Sequence, residues 1–430
     1  MSRYHQFWRI TGWRRLYLAG LCLIAALPAT AQSLVELKQR VQDIPFAPVQ
    51  LDFARFLADE LDTSQAGTDD LSALRDALLA WTPDNACERI DQQQLLFRLS
   101  LIDERRALRQ ASDSPRYGGD FKELQNGQAW YRHWLKSWLL EDVSLEKLEA
   151  IARAELNELA RQRRARERTS VATLPHYPAD SHEQIVAALR QRETIVMRHL
   201  SEILDLPAAL PAPSIQRSSL PADFPAPGIY DPSDQIFIYH PKGNSLAGEH
   251  LDWLYLHEAV PGHHLQNIVG RDQPLCAEQT PDDMPMASVE GWAAYAETLG
   301  AQVGLLKHPD SRAYLQQWQT LRALRVLIDI GLHARGWSKG EAEALWQRHL
   351  PGQEALMRRE IARVKRWPAQ AITYVYGKHR IEQTLLNALE QHPAHEAKTL
   401  RTLVLRLSHL PPAALDEISA FLPQLELDHG

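Results

Sequence analysis

The chain has 430 residues, 45% of them hydrophobic and 23% charged, with a formal net charge of -7. That length and apolar content suffice for a large buried core and leave room for one domain or for two or three. The acidic balance argues against a nucleic-acid partner, because counterion release needs a strongly positive face.

Residues 1–31 read as an export signal. Arg3, Arg9, Arg14 and Arg15 precede the apolar run Leu16 to Leu27, and Ala29-Thr30-Ala31 fits a cleavage site before Gln32. The run is too short to span a membrane comfortably, so the mature protein is expected to be periplasmic or secreted, with no stable membrane span. Arg14-Arg15 has a twin-arginine look; Cys22 follows Leu21, which is bulkier than the small residue usual before a lipidated cysteine. Removal of the signal leaves Cys87 and Cys276. An oxidising compartment permits a disulfide between them, provided their Cα atoms come within about 7 Å.

Residues 32–206 read as a helical scaffold. Leu145, Leu148, Ile151, Ala152, Leu156 and Leu159 recur at three- and four-residue spacing behind Ser144, a natural N-cap. Leu71 to Trp81, Arg89 to Ala111 and His182 to Leu206 repeat the pattern. The arginines from Arg161 to Arg168 read as a solvated helix end, where cations meet the negative pole of the dipole. Between Leu206 and Pro241 seven prolines forbid a continuous helix, and Gln235 to Tyr239 predicts a short strand. An edge strand beside a metal-binding helix commonly pairs with an extended substrate, which marks this strand for attention. Helix resumes from Leu246 to His257, again from Ser288 to Val303, and then in long segments that include the leucine-rich Leu321 to Leu332 and Leu400 to Leu407. Residues 207–430 carry the motifs and are expected to form one continuous, mainly α domain with 32–206, with at most a small β-sheet near the metal helix. No glycine-rich phosphate loop or internal repeat is present in the sequence.

The densest chemistry lies in His257-Glu258-Ala259-Val260-Pro261-Gly262-His263-His264 and in Glu290-Gly291-Trp292-Ala293-Ala294-Tyr295-Ala296-Glu297. Imidazoles and a carboxylate from neighbouring helices, with a further glutamate as base, are what a catalytic zinc requires. In the usual His-Glu-x-x-His helix the two histidines stand four apart on one face. Here the fourth position after His257 is Pro261, which cannot ligate and which breaks or kinks the helix. The second ligand is therefore His263 or His264. A distortion at Pro261-Gly262 that absorbs two residues favours His263 and leaves His264 to support a ligand or face substrate. Glu258 is the natural general base, Glu290 the best third ligand, and Glu297, one helical face along, is placed to orient a ligand histidine. Arg380 is a candidate for a substrate carboxylate.

These blocks resemble the bacterial family called domain of unknown function 885, which is grouped with gluzincin-like zinc metallopeptidases. A third block, Pro368-Ala369-Gln370-Ala371-Ile372-Thr373-Tyr374-Val375-Tyr376-Gly377, is also family-like, although members usually carry glycine where this chain has Ala369. The resemblance runs from about Tyr230 to Ile381. It implies a mainly helical fold, like that of angiotensin-converting-enzyme and thimet-oligopeptidase relatives, with one zinc ion in a deep cleft. It also implies that Tyr374 donates a hydrogen bond to the developing oxyanion. The reading is then an exported zinc-dependent peptidase acting on peptide or peptide-like substrates. The same residues would serve a zinc amidase or esterase, or a non-catalytic scaffold that keeps the metal motif.

Overall fold

The computed structural model of the chain describes residues 33–44, 53, 57, 68–111, 120–165, 173–206, 210–221, 224, 226–276 and 285–428. Residues 1–31, expected to be an export signal, lie outside them.

The described chain is mainly helical, as its periodicity predicts. The first half contains α1 (Leu34–Gln42), α2 (Thr68–Ala80), α3 (Ala86–Gln110), α4 (Gly127–Leu139), α5 (Leu145–Ala165) and α6 (His182–Ile203). A capping box opens α1: Ser33 Oγ accepts from the Glu36 amide while the Glu36 carboxylate accepts from the Ser33 amide. Ser144 caps α5 by accepting from the Lys147 amide at 3.2 Å, and Leu145, Leu148, Ala152, Leu156 and Leu159 are buried along one stripe. The helix expected to reach Leu206 stops at Ile203, with Leu204 extended. In the sequence Pro207 follows closely, and a proline biases the residue before it away from the helical region.

Five short strands occur, one before α6 and four within or just after the proline-rich segment: β1 (His176–Pro178), β2 (Ser214–Arg217), β3 (Gly228–Asp231), β4 (Ile236–Tyr239) and β5 (Ser245–Ala247). β1 pairs antiparallel with β5, which ties the chain on either side of position 206. β4 is the strand expected from Gln235 to Tyr239, but it is central, not an edge. β2 lies parallel on one side of it and β3 antiparallel on the other, with Phe237 opposite both Ile215 and Tyr230. Both of its hydrogen-bonding edges are occupied, so substrate pairing at β4 is excluded.

The second half contains α7 (Gly248–Glu258), α8 (His263–Asp272), α9 (Met286–Thr298), α10 (Pro309–His333), α11 (Lys339–His349), α12 (Glu354–Arg366), α13 (Ile372–Gln391), α14 (Ala397–Leu407) and α15 (Ile418–Asp428). One apolar cluster joins α6, α7, α8 and α14 through Leu189, Leu254, Leu265 and Leu403; a second joins α4, α5, α10 and α13 through Trp134, Leu148, Leu327 and Ile372. The site lies where these clusters adjoin, because α9 contributes Trp292 to the first and Ala287 to the second.

One contact fixes the site more tightly than the rest. α9 and α13 touch backbone to backbone at Gly291 and Gly377: a Cβ on Gly377 would lie 1.7 Å from the Ala287 carbonyl oxygen, and one on Gly291 would lie 2.5 Å from Gly377 Cα. Only glycine permits that approach. Cys87, in the first turn of α3, and Cys276, beyond α8, are joined by a disulfide with Cα atoms 5.4 Å apart across 189 residues. No described helix is long and apolar enough to cross a membrane.

Candidate metal centre

α7 ends at Glu258, and α8 begins at His263. The four residues between them form a turn with a cis Val260–Pro261 bond. Its geometry needs Gly262, where a Cβ would fall 1.9 Å from the His257 carbonyl oxygen. Trp292 fastens the turn by donating from Nε1 to the Pro261 carbonyl at 2.8 Å. The proline thus ends one helix, and the turn swings the next histidine back toward the first.

His263 is the residue brought back. His257 Nε2 lies 3.7 Å and His263 Nε2 3.5 Å from Glu290 Oε2, and the imidazole centroids are 4.8 Å apart. One ligand atom from each of the three residues falls within a 4.8 Å span. His264 turns away: its Nε2 faces the Pro211 carbonyl at 2.6 Å and its Nδ1 the Tyr230 hydroxyl at 3.0 Å. It packs β3 against α8 and does not join the cluster.

The three donors fit a tetrahedral cation. Corners of a zinc site with bonds of about 2.0–2.1 Å stand about 3.3 Å apart, close to the observed spacings. Those same spacings are too long for good hydrogen bonds, and Glu290 Oε2 is buried without a hydrogen-bond partner. A buried carboxylate oxygen facing two imidazole nitrogens at this distance is an arrangement that a shared ion would satisfy.

Electrostatics point the same way. Burial pushes the His257 imidazolium toward deprotonation, yet the Glu290 and Glu297 carboxylates beside it outweigh burial and raise its pKa to about 9. Burial would raise the Glu290 carboxyl, but the two imidazoles hold it well below the usual carboxylate range. A field that keeps a proton on a buried histidine also favours a divalent cation in its place. Glu297 Oε1 lies 2.8 Å from His257 Nδ1, which fixes the Nδ1–H tautomer and leaves Nε2 free toward the centre. Arg322 in turn holds the other Glu297 oxygen at 2.7 Å. Trp253 stacks on the His257 ring at 5.8 Å.

Glu258 sits at the last position of α7, backed by β3: a Cβ on Gly228 would be 3.2 Å from its Cγ and Oε1. Burial raises its pKa against the pull of His257 and His263, with smaller help from the nearby Glu290 and Glu297 carboxylates. A raised carboxyl beside a cation site suits general acid–base work. Tyr374, on the first turn of α13, donates to Glu290 Oε1 at 3.0 Å, and the Gly291–Gly377 contact is what brings it there.

Arg380 is placed elsewhere. It donates to Glu141 at 3.2 Å, to the Pro412 carbonyl at 3.1 Å and to Asp416 at 3.0 Å. With Lys147 and Tyr376 it lines a cavity of about 460 Å³ that none of the centre's histidines or carboxylates borders. Six residues past Tyr374 is about 240° around a helix, so the two side chains leave α13 in different directions. In its stead the structure brings Arg322, Arg325 and Arg363 to the tyrosine. The Arg322 guanidinium lies 5.0 Å from the Tyr374 ring centroid, Arg325 pairs with buried Glu360 at 2.6 Å, and Arg363 donates to Gln370 at 2.8 Å. The signal in the sequence was two arginines three apart in the leucine-rich interior of α10, where a charge needs a partner.

Ala369 adopts a left-handed φ of 65°, which accounts for the glycine usual at this position in the family the sequence resembles. Its amide donates to Asp329 Oδ2 at 2.9 Å, while Tyr131 donates to Asp329 Oδ1 at 2.7 Å. This clamp sets the entry of α13 and hence the position of Tyr374.

Fold and site together define a mainly helical protein with a buried His-His-Glu cluster flanked by a glutamate and a tyrosine. Residues 24–418 match the family described as bacterial protein of unknown function, DUF885, and the chain belongs to that family. Two solved structures share the fold: a candidate lipoprotein from Colwellia psychrerythraea (18% identity, TM-score 0.57, covering 92% of this chain and 71% of that one), and a candidate lipoprotein of unknown function from Shewanella oneidensis (16% identity, TM-score 0.53, covering 91% and 74%). No protein of curated function matches the sequence.

Proposed function

We propose that this chain is an exported zinc-dependent hydrolase that cuts peptide bonds. The observation carrying the proposal is the convergence of His257 Nε2, His263 Nε2 and Glu290 Oε2 on one point, with Glu258 adjoining and Tyr374 touching a ligand. Zinc bound there would act as a Lewis acid and bring the pKa of a water toward neutrality. Glu258 takes the proton of the attacking water and passes it to the leaving amine. The Tyr374 hydroxyl moves its hydrogen bond from Glu290 to the carbonyl oxygen as charge develops there. Glu297 holds the His257 tautomer, and Arg322 holds Glu297. Peptide is preferred as substrate on the resemblance of the three motif blocks to gluzincin-like peptidases. Export is supported by the signal-like residues 1–31 and by the Cys87–Cys276 disulfide, which belongs to an oxidising compartment.

The test combines elemental analysis of gently purified protein with a peptide-library digest read by mass spectrometry. One zinc per chain and defined cleavage are expected. Glu258→Gln should keep the metal and lose about 10²- to 10⁴-fold in rate. Wild-type protein without zinc would remove the hydrolase reading, and full activity in the Glu258 variant would remove the assigned base.

A further inference from the structure

Three arginines surround Tyr374, and they are not equivalent. Arg322 is paired with Glu297 at 2.7 Å and Arg325 with Glu360 at 2.6 Å, so each buried cation has its own carboxylate. Arg363 makes no close ion pair among the described residues, although Glu360 and Glu290 lie near enough to act on its charge. Its guanidinium donates at 2.8 Å to the neutral amide oxygen of Gln370, and its Nε is buried with no acceptor. The Tyr374 phenol is close enough to act on its charge too. A buried guanidinium N–H left without an acceptor calls for a ligand, and a carboxylate is the group a guanidinium edge fits best.

Position narrows the choice. His263, Glu290, Tyr374, Gln370 and Arg363 are the partly exposed members of the cluster, whereas His257, Glu297, Arg322, Arg325 and Glu360 are buried behind them. A line of accessible groups therefore runs from the ligand carboxylate through Tyr374 to Arg363. In a peptide, the scissile carbonyl carbon and the carboxyl carbon of the next residue are about 3–4 Å apart.

We propose that Arg363, assisted by Gln370, receives a substrate carboxylate carried by the residue just beyond the cut bond. The inference rests on the hydrolase reading of the same site. The carboxylate is a peptide C-terminus or an acidic side chain, and the charge-matched guanidinium is Arg363 in either case. Cleavage is then confined to the last peptide bond, or to bonds before an acidic residue.

Binding to metal-stripped protein is measured by calorimetry with three probes: trialanine as free acid, its C-terminal amide, and the amide of Ala-Ala-Glu. The free acid, the Glu amide, or both should bind about 10- to 100-fold more tightly than the plain amide, as a charge-assisted pair requires. The tighter of the two identifies the source of the carboxylate. Arg363→Gln should remove the difference and Arg363→Lys should keep part of it, with thermal melts confirming that both variants fold. Equal binding of all three probes, no detectable binding of any, or a preference that survives Arg363→Gln would overturn the assignment. The wild-type comparison needs no variant. Preference without zinc uptake or turnover would retain the subsite and reject the hydrolase, whereas turnover of acid and amides alike would do the reverse.

Discussion

Gly377→Ala should damage the candidate centre without touching any group that binds or reacts. The new Cβ would begin 1.7 Å from the Ala287 carbonyl oxygen and 2.7 Å from Gly291 Cα, both backbone atoms with no flexible end to swing aside. Restoring ordinary contact requires α9 and α13 to part by roughly 1.5 Å. Overpacking of this kind costs about 3 kcal/mol, and the better helix propensity of alanine returns about 1 kcal/mol, leaving about 2 kcal/mol of lost stability. For a chain of this length that is a fall in Tm of about 2–3 °C. The larger effect is on geometry, since α9 carries Glu290 and α13 carries Tyr374, and their 3.0 Å hydrogen bond would open. A displacement near 1 Å in a reacting constellation costs about 100-fold. Thermal melts and kcat/KM on a cleaved peptide measure the two effects separately. A Gly377→Ala protein with unchanged Tm and unchanged turnover would refute the claim that this contact positions the site.

Other substitutions address the supports of the centre. Glu297→Gln weakens the hold on the His257 tautomer and should lower zinc affinity by about 10- to 100-fold in a chelator competition; unchanged affinity would take Glu297 out of that role. Ala369→Gly relieves a left-handed φ worth about 1–2 kcal/mol against a glycine entropy cost of about 0.5–1 kcal/mol, so the urea midpoint should rise slightly, and a fall would contradict the strain. Burial raises the Asp329 carboxyl to about 7. Because its folded pKa lies above its unfolded one, its contribution is greatest below the unfolded value of 3.8 and declines as pH rises through about 7. Asp329→Asn should therefore flatten the loss of stability between pH 5 and pH 8, read from urea melts; an unaltered slope would show that another group is responsible.

Much of this was legible from spacing. The stripe behind Ser144 defined α5, because burial on one face of a helix imposes a period that the sequence records. Pro261 four places after His257 excluded the regular two-histidine helix and shifted weight to His263, which the fold sets beside His257 and Glu290. Pairing across distance was not legible. Arg322 and Arg325 stand in a leucine-rich helix, and nothing in the sequence names Glu297 and Glu360, tens of residues away, as their partners. β4 announced itself by its side chains, but the polar Ser214–Arg217 that covers one edge carries no comparable pattern. Closeness along the chain to Tyr374 is what makes Arg380 a candidate, whereas helical angle sends it toward Glu141 and Asp416.

The disulfide between Cys87 and Cys276 bears on how the protein comes to be made. It closes a circuit of 189 residues, linking the opening of α3 to the segment that leaves the helix bearing His263. In the chain-entropy account a closure of that size narrows the denatured ensemble by about 5 kcal/mol. Chains synthesised in a reducing cytosol would lack this staple, so recombinant production directed to an oxidising space should yield the sturdier material for every measurement above.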